Sequence, residues 1–190
     1  KELKDSIGTE QTILSIVAGA PIATLASGLN HEKIVRVMPN MPAQIGAGIS
    51  LWVATPTIED SFTKAVSTII DTLGQQLEVS DEKYLDMSTA LSGSGPGYVF
   101  LFLESMIKAG VRIGMPIEMA RVLSLQTILG SIMLAQSSDK EPEELRHMVT
   151  SPGGTTAAAL KVLENGAFED TLVNAIIAAY ERAKILGGLS

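Results

Sequence analysis

Two stretches of the sequence, residues 96–113 and 117–136, have a helical pattern but are apolar on nearly every face. Gly114 and Pro116 separate them, as expected between two helices. A helix that is apolar around its whole circumference must be covered by other apolar surface, and a single layer of neighbouring helices covers only one stripe. We therefore predict that a second copy of the chain supplies the remaining cover, in an obligate homodimer built from the C-terminal helices. Assembly beyond the dimer stays open.

The whole C-terminal part, residues 81–190, is predicted to be helical. No strand candidate follows Asp81, and Gly and Pro signals separate the apolar runs. Three further helices are expected, over Pro142–Met148, about Thr155–Glu164, and Phe168–Leu186. The sequence thus predicts an all-helical domain over residues 81–190.

Residues 1–80 have a different pattern, in which β-branched runs alternate with turns and a helix. Alternating strands and helices are typical of an α/β sheet. We predict the C-terminal part of a Rossmann-like parallel sheet domain, and an α/β plus all-α fold class for the chain. The first residue is Lys1, and the sequence reads as the middle of a protein, so we expect an N-terminally truncated chain. The predicted elements are strands at Ile13–Val17, Ile34–Met38, Ile49–Ala54 and Gln75–Val79, and a helix at Ile58–Leu73.

Charge and composition argue against several classes of function. The net charge of -7 and the absence of a basic run argue against binding to nucleic acid. With no cysteine and only two histidines, a disulfide, a thiolate centre or a zinc site is not expected, and we predict no metal. The most apolar stretch, Tyr98–Val111, is broken by Glu104 and Lys108, and no signal peptide opens the chain, so we expect no membrane span and a cytoplasmic location.

The segment Val149–Thr156 combines a proline, two glycines and four hydroxyls at the start of a predicted helix, and the hydroxyls belong to Thr150, Ser151, Thr155 and Thr156. The first N–H groups of a helix have no partner within it, so such a turn can hold a carboxylate or phosphate without a lysine. An ordinary Ser/Thr helix cap is the alternative. Capping explains one hydroxyl, but it does not explain four hydroxyls and two glycines together.

Two other segments have weaker signals. Arg36–Ala43 ends a predicted strand with two prolines around Asn40, whose amide could bind a cofactor or close its own turn, and the turn is the more common role. Arg36 is expected to be an ion-pair partner. Leu91–Tyr98 places small residues before a long helix, which by itself indicates close helix packing.

Taken together and in this order, the three segments resemble the pyrroline-5-carboxylate reductase family. Its members have a Met-Pro-Asn-Thr-Pro segment, a Ser-Gly-Ser-Gly-Pro-Ala-Tyr segment and a Ser-Pro-Gly-Gly-Thr-Thr segment, and the last is matched completely by Ser151–Thr156. The resemblance covers essentially the whole chain. Met41 stands where threonine is common and Gly97 where alanine is common, and the family's N-terminal Gly-x-Gly-x-x-Gly turn is absent.

The resemblance implies reduction of the cyclic imine 1-pyrroline-5-carboxylate to L-proline with NADPH or NADH, and it favours NADPH. It implies that a small-molecule substrate binds to the C-terminal domain, that the homodimer has interlocked C-terminal helices, and that this chain alone binds dinucleotide poorly. The implied catalytic residue is Thr156, whose hydroxyl would meet the ring nitrogen. The implied carboxylate-binding residues are Ser151, Gly153, Gly154, Thr155 and Thr156, and the implied nicotinamide-lining residues are Ala18, Gly19, Asn40 and Pro42.

Two other functions are weighed against this resemblance. A 2-hydroxyacid dehydrogenase of the same two-domain plan needs a helix-borne lysine close to an asparagine, and Lys108 has no such partner nearby in the sequence. A non-catalytic helical dimerisation module would account for the apolar helices. It would not account for Ser151–Thr156.

Overall fold

The computed structural model describes residue 3 and residues 6–188. The chain divides into two compact units, and we describe each by itself. The first comprises Lys1–Pro96 and Asn174–Ser190, and the second comprises Gly97–Val173. Compared with the predicted division after residue 80, the sheet unit also takes in residues 81–96 and the C-terminal end of the chain. Two contacts tie these added segments to the sheet unit: Glu82 pairs with Arg36, and the backbone of Leu186 lies against Gly19.

The first unit is a four-stranded sheet with the order β1-β2-β3-β4, so neighbours in space are neighbours in sequence. β1 pairs with β2 and β3 pairs with β4 in parallel, while β2 and β3 are antiparallel. The antiparallel pair follows from its short connection, since parallel neighbours need a long crossover. The strands are β1 (Ile13–Ser15), β2 (Ile34–Met38), β3 (Gly48–Ala54) and β4 (Gly74–Glu78).

The predicted fold class is confirmed, and the four predicted strands match the observed ones within two residues at each end. Three helices of the first unit accompany them. α1 and α3 were not predicted, and neither has a long apolar pattern. These helices are α1 (Ile22–Leu29), α2 (Asp60–Asp71) and α3 (Lys83–Ser88), and a 3-10 turn covers Met41–Ile45.

The core of the first unit lies on one face of β2. Val35 and Val37 point to this face, where Trp52 and the α2 residues Val66 and Ile70 pack against them. Val66 and Ile70 are four residues apart and therefore on one side of α2. The alternate residues of β2, Ile34 and Arg36, are also buried, so the strand is covered on both faces.

The second unit is built from helices that expose apolar side chains. α4 has no fully buried residue, and α5 buries only Ala120 and Ser124. On α5, Val122 is 65% exposed and Leu129 is 55% exposed. Apolar exposure on this scale indicates a surface that a partner covers. The remaining helices are α4 (Gly95–Arg112), α5 (Ile117–Ser137), α6 (Pro142–Met148), α7 (Thr155–Asn165) and α8 (Phe168–Leu186), and α4 and α8 each include a point where the chain passes between the units.

Within the described residues, one helix, α5, is long and apolar enough to cross a bilayer by length and composition alone. The same properties characterise helices covered by protein. The expectation that no membrane is involved therefore stays a prediction.

The start of the β3–β4 pairing depends on two facing glycines. Gly48 and Gly74 are partners in the register, and Gly74 has a φ of 129°. An ideal β-carbon at Gly74 would overlap the Gly48 carbonyl oxygen and lie 2.6 Å from the Gly48 nitrogen. Neither backbone can move aside without breaking the strand pairing.

We expect Gly74→Ala to lower the free energy of unfolding by at least about 2 kcal/mol, because the energetic cost of the strained φ and that of the backbone overlap add together. Denaturant unfolding followed by circular dichroism, at one fixed protein concentration, measures the change. The matched control is Gly28→Ala in α1, where an added β-carbon meets nothing within 4 Å. The control should be neutral or stabilising by up to about 1 kcal/mol. Equal stability of the two variants would contradict this account.

Candidate active site

The predicted cofactor residues lie at one edge of the sheet in the first unit. β1 and β2 are parallel, with Ser15 opposite Arg36, so the segments that follow both strands leave at the same edge. Ala18 and Gly19 follow β1, and Asn40 and Pro42 follow β2. The carboxyl ends of strands are where ligands bind in open α/β sheets.

Asn40 closes its own turn. Its side-chain oxygen Oδ1 accepts a hydrogen bond from the Ile49 N–H at 3.0 Å, and its backbone carbonyl accepts one from the Ala43 N–H at 3.1 Å. The carboxamide therefore joins the end of β2 to the start of β3. Its NH2 group makes no hydrogen bond within the described part of the chain and can donate to a ligand.

The turn after β1 has a backbone that glycine permits. Gly19 has a φ of 70°, and an ideal β-carbon there would lie 2.9 Å from the Leu186 carbonyl carbon. The C-terminal end of α8 therefore packs directly on this turn. Ala18 beside it is exposed. A small exposed surface next to a fixed backbone turn suits a flat aromatic ring.

Near this edge lies a cluster of three charges, of which Arg36 and Asp86 are buried and Glu82 is half-buried. Arg36, which is 2% exposed, donates to Glu82 Oε1 at 2.7 Å and to Asp86 Oδ1 at 2.9 Å. The two acids are four residues apart and so lie on one face of the helical segment. The sequence-based prediction that Arg36 is an ion-pair partner is confirmed.

The Glu82 oxygen that pairs with Arg36 has a second partner. This oxygen, Oε1, also accepts a hydrogen bond at 2.8 Å from the Ile22 N–H, at the start of α1. Sequence analysis missed both Glu82 and Asp86 as functional candidates. The available signal was their spacing of four residues together with an arginine in the middle of a buried strand.

The Leu91–Tyr98 segment begins within a π-helical turn over Thr89–Gly93, a geometry often found near functional sites. An ideal β-carbon at Gly93 would lie 2.8 Å from Met38 Cε, so glycine makes room for the last side chain of β2. Gly93 therefore packs against the sheet edge described above. At Gly97 an added β-carbon would meet nothing within 4 Å, so the alanine common in the family would fit.

The Ser151–Thr156 turn lies in the second unit, between α6 and α7. Gly153 has a φ of 72°, and the N-cap residue Gly154 has no side chain to cap the helix. An ideal β-carbon at Gly154 would lie 2.5 Å from Ser151 Oγ, so any larger residue would push the serine away. The glycines thus hold the serine hydroxyl close to the start of α7.

Most backbone donors of this turn remain open. The Gly154 N–H is donated to the Ser151 carbonyl at 3.0 Å, and the first intrahelical bond runs from the Ala158 N–H to the Gly154 carbonyl. The N–H groups of Thr155 and Thr156 therefore have no partner within the helix. Open amides and the helix dipole favour a bound anion.

The chemistry available here is positioning and hydrogen bonding. Among the described residues there is no group of three or more His, Cys, Asp or Glu side chains that could hold a metal ion. The Ala18, Gly19, Asn40 and Pro42 set does fit a nicotinamide, because it combines amide donors with small and ring-shaped apolar surface. An open carboxyl edge of an α/β sheet and a helical unit with open backbone amides are the two parts expected of a two-domain nicotinamide-dependent oxidoreductase.

Comparison with known proteins narrows this class. Residues 82–186 match the family model described as pyrroline-5-carboxylate reductase dimerisation. The pyrroline-5-carboxylate reductase of Pisum sativum is 37% identical over 97% of this chain and 67% of its own length. That of Pseudomonas aeruginosa is 40% identical over 95% of this chain and 67% of its own. The chain belongs to the pyrroline-5-carboxylate reductase family, and it spans about two thirds of the length of these relatives.

Solved structures agree with the family assignment. The NADP-bound pyrroline carboxylate reductase of Plasmodium falciparum superposes with a TM-score of 0.93 at 38% identity, over 98% of this chain and 75% of its own. The pyrroline-5-carboxylate reductase of Coxiella burnetii gives a TM-score of 0.87 at 36% identity, over 97% of this chain and 69% of its own. The predicted family is thereby confirmed. The individual roles assigned to the site residues stay predictions.

Proposed function

We propose that the protein reduces 1-pyrroline-5-carboxylate to L-proline with NADPH or NADH. The observation that carries the proposal is the open Ser151–Thr156 turn within the region that matches the reductase family. This turn offers an anion site and an adjacent hydroxyl, which are the two features that a cyclic imine acid requires.

The substrate carboxylate would bind at the start of α7. The donors to the carboxylate are the Gly153 and Thr155 N–H groups and the Ser151 hydroxyl. The Gly154 N–H already donates to the Ser151 carbonyl and can donate to the carboxylate at the same time. Hydrogen bonds to a charged acceptor are stronger than those between neutral groups. The site therefore selects a small molecule with a carboxylate next to its ring.

The Thr156 hydroxyl would meet the ring nitrogen. A cyclic imine is basic enough to arrive as an iminium, whose N–H can donate to Thr156 Oγ1. Hydride adds to the C=N carbon, the C=N π electrons become the nitrogen lone pair, and the N–H proton stays in place. Because no strong acid is needed, the absence of an Asp, Glu or His side chain from this turn fits the reaction.

The cofactor would bind at the carboxyl edge of the sheet. When bound, reduced nicotinamide supplies the hydride. Ala18, Gly19 and Pro42 would support the ring, and the free NH2 group of Asn40 would donate to its carboxamide oxygen. NADPH is the preferred form in this proposal, and a cytoplasmic location stays a prediction.

Both alternatives are less well supported. Lys108, the helix-borne lysine that a 2-hydroxyacid dehydrogenase would use, is 66% exposed and pairs with Glu104 at 2.6 Å. The hydrogen bond with Lys108 lowers the pKa of Glu104. The partner of this lysine is therefore a carboxylate, where the dehydrogenase would need an asparagine. A purely structural dimerisation module would need neither the glycines of the turn nor its open amides.

The proposal is tested by following NADPH and NADH oxidation in the full-length protein with pyrroline-5-carboxylate and, in parallel, with a 2-keto acid. Turnover with the imine acid alone is the expected result. Turnover with the keto acid alone would favour the dehydrogenase. Turnover with neither, in a folded and dimeric protein, would favour a structural module.

We expect Thr156→Ala to lower kcat by about tenfold or more, because it removes one hydrogen bond at the reacting nitrogen. Because the Thr156 side chain is half-exposed, we expect little change in thermal stability. Thr156→Ser is the matched control, since it keeps the hydroxyl and should retain most of the activity. A Thr156→Ala variant with unchanged kinetics would exclude the assigned role.

We also propose that the protein is a homodimer through its C-terminal helices, as the description of the matched family model suggests. Leu129 on α5 is 55% exposed, and Leu129→Glu would place a charge on the surface that the partner covers. Sedimentation velocity should show a shift from dimer to monomer or aggregate. The control is Ser131→Glu, which adds the same charge at an exposed polar position on the other side of the same helix. Dimerisation unaffected by Leu129→Glu would place the interface elsewhere.

A further inference from the structure

We propose that Glu82 is a positioning residue for the nicotinamide, because it fixes the turn Ala18–Ile22 from a distant part of the chain. The inference rests on the proposed function, since that turn is the predicted cofactor contact. Glu82 itself touches neither cofactor nor substrate in this proposal. It acts through the backbone of the turn.

The first observation is the unusual start of α1. Its N-cap residue is Pro21, which makes no side-chain capping hydrogen bond. The N–H of the next residue, Ile22, would have no partner within the helix. Glu82 Oε1 accepts this N–H at 2.8 Å, although it is 60 residues away in sequence.

The second observation is that α1 has no fully buried residue. Its side chains, among them Leu25 and Leu29, are at most half-buried, so the Glu82 contact adds a fixed point at its N-terminus. On the other side of the turn, the backbone of Leu186 lies against Gly19. The turn that carries Ala18 is thus held at two points, by Leu186 at Gly19 and by Glu82 at Ile22.

The third observation is that the carboxylate of Glu82 is itself held in place. Arg36 on β2 donates to the same oxygen at 2.7 Å, and Arg36 also pairs with Asp86 at 2.9 Å. A charge-assisted pair of this length holds that carboxylate oxygen close to β2. Arg36 therefore connects the central strand to the cofactor turn through Glu82.

The two acids can be separated by experiment. Both pair with Arg36, but only Glu82 also contacts the start of α1. If Glu82 only balances the buried charge, loss of either acid should have the same consequences. If Glu82 positions the turn, only its loss should affect the cofactor.

The test compares Glu82→Ala, Glu82→Gln and Asp86→Asn in the full-length protein. Glu82→Ala should speed amide hydrogen exchange at Ile22 by about tenfold, the factor expected for one hydrogen bond to a charged group. It should raise the calorimetric Kd and the KM for NADPH by about five- to tenfold, and leave the KM for pyrroline-5-carboxylate within about twofold. Glu82→Gln keeps an acceptor oxygen and should restore most of the Ile22 protection and the cofactor affinity.

Asp86→Asn should lower the thermal midpoint while leaving Ile22 exchange and the cofactor KM near their original values. Equal effects of Glu82→Ala and Asp86→Asn on cofactor affinity would overturn the proposal, because they would indicate a purely structural cluster. If the protein had no reductase activity, Ile22 exchange and cofactor binding would still test Glu82. Failure of the proposed function is therefore distinguishable from failure of this inference.

A measurement on the unaltered protein covers the case in which Glu82→Ala does not fold. The amides of Ala23 and Thr24 also lie in the first turn of α1 and have no partner within the helix. NMR exchange rates should show Ile22 protected at least about tenfold more than these two neighbours. Equal exchange at all three amides would overturn the proposal.

Discussion

A buried guanidinium lies at the centre of the sheet unit, and much of the first unit is arranged around it. Removing a charge from water is costly unless paired carboxylates and hydrogen bonds replace the lost solvation. Arg36 meets that condition because Glu82 and Asp86 lie on one face of the segment that leads into α3. The position of α3 is therefore constrained by charge geometry as well as by the burial of Leu85, whereas the opposite face of β2 is covered by apolar packing with α2.

The second unit satisfies a different constraint. Its helices expose large apolar side chains along α4 and α5, and these helices have few interior contacts of their own. An apolar surface of this kind is stable in water only when another surface covers it. The unit that carries the open amides of the Ser151–Thr156 turn is thus also the unit that needs a partner, so the proposed substrate site and the proposed assembly involve the same helices.

Much of this organisation can be predicted from the sequence. Acidic residues in the first turn after Pro142 predicted α6, the Gly187-Gly188 stop predicted the end of α8, and both helices have their predicted bounds. The β-branched runs predicted the four strands. α1 was missed because its eight residues are small or apolar without a buried face, and it begins after a proline. The antiparallel β2–β3 pair was foreseeable, because the connection between the two strands is too short for a parallel crossover, and the expectation of a parallel sheet was wrong for this pair.

For the site, the motifs identified the segments, but their support could not be predicted. That Gly19 packs on Leu186, that Gly93 accommodates Met38, and that Glu82 accepts the Ile22 N–H are contacts between residues far apart in sequence. No local pattern specifies such pairs. The turn-closing role of Asn40 was foreseeable, because an asparagine between two prolines commonly bonds to nearby backbone.

The packing of Leu186 against Gly19 also has a consequence for how the chain folds. The second unit is inserted within the first, so the sheet unit contains segments made early and late in synthesis. Its last contacts cannot form on the ribosome until α8 has emerged, long after the strands have been made. Closing so long a loop is entropically costly and slow, so the native turn at Gly19 is expected to be among the last features acquired.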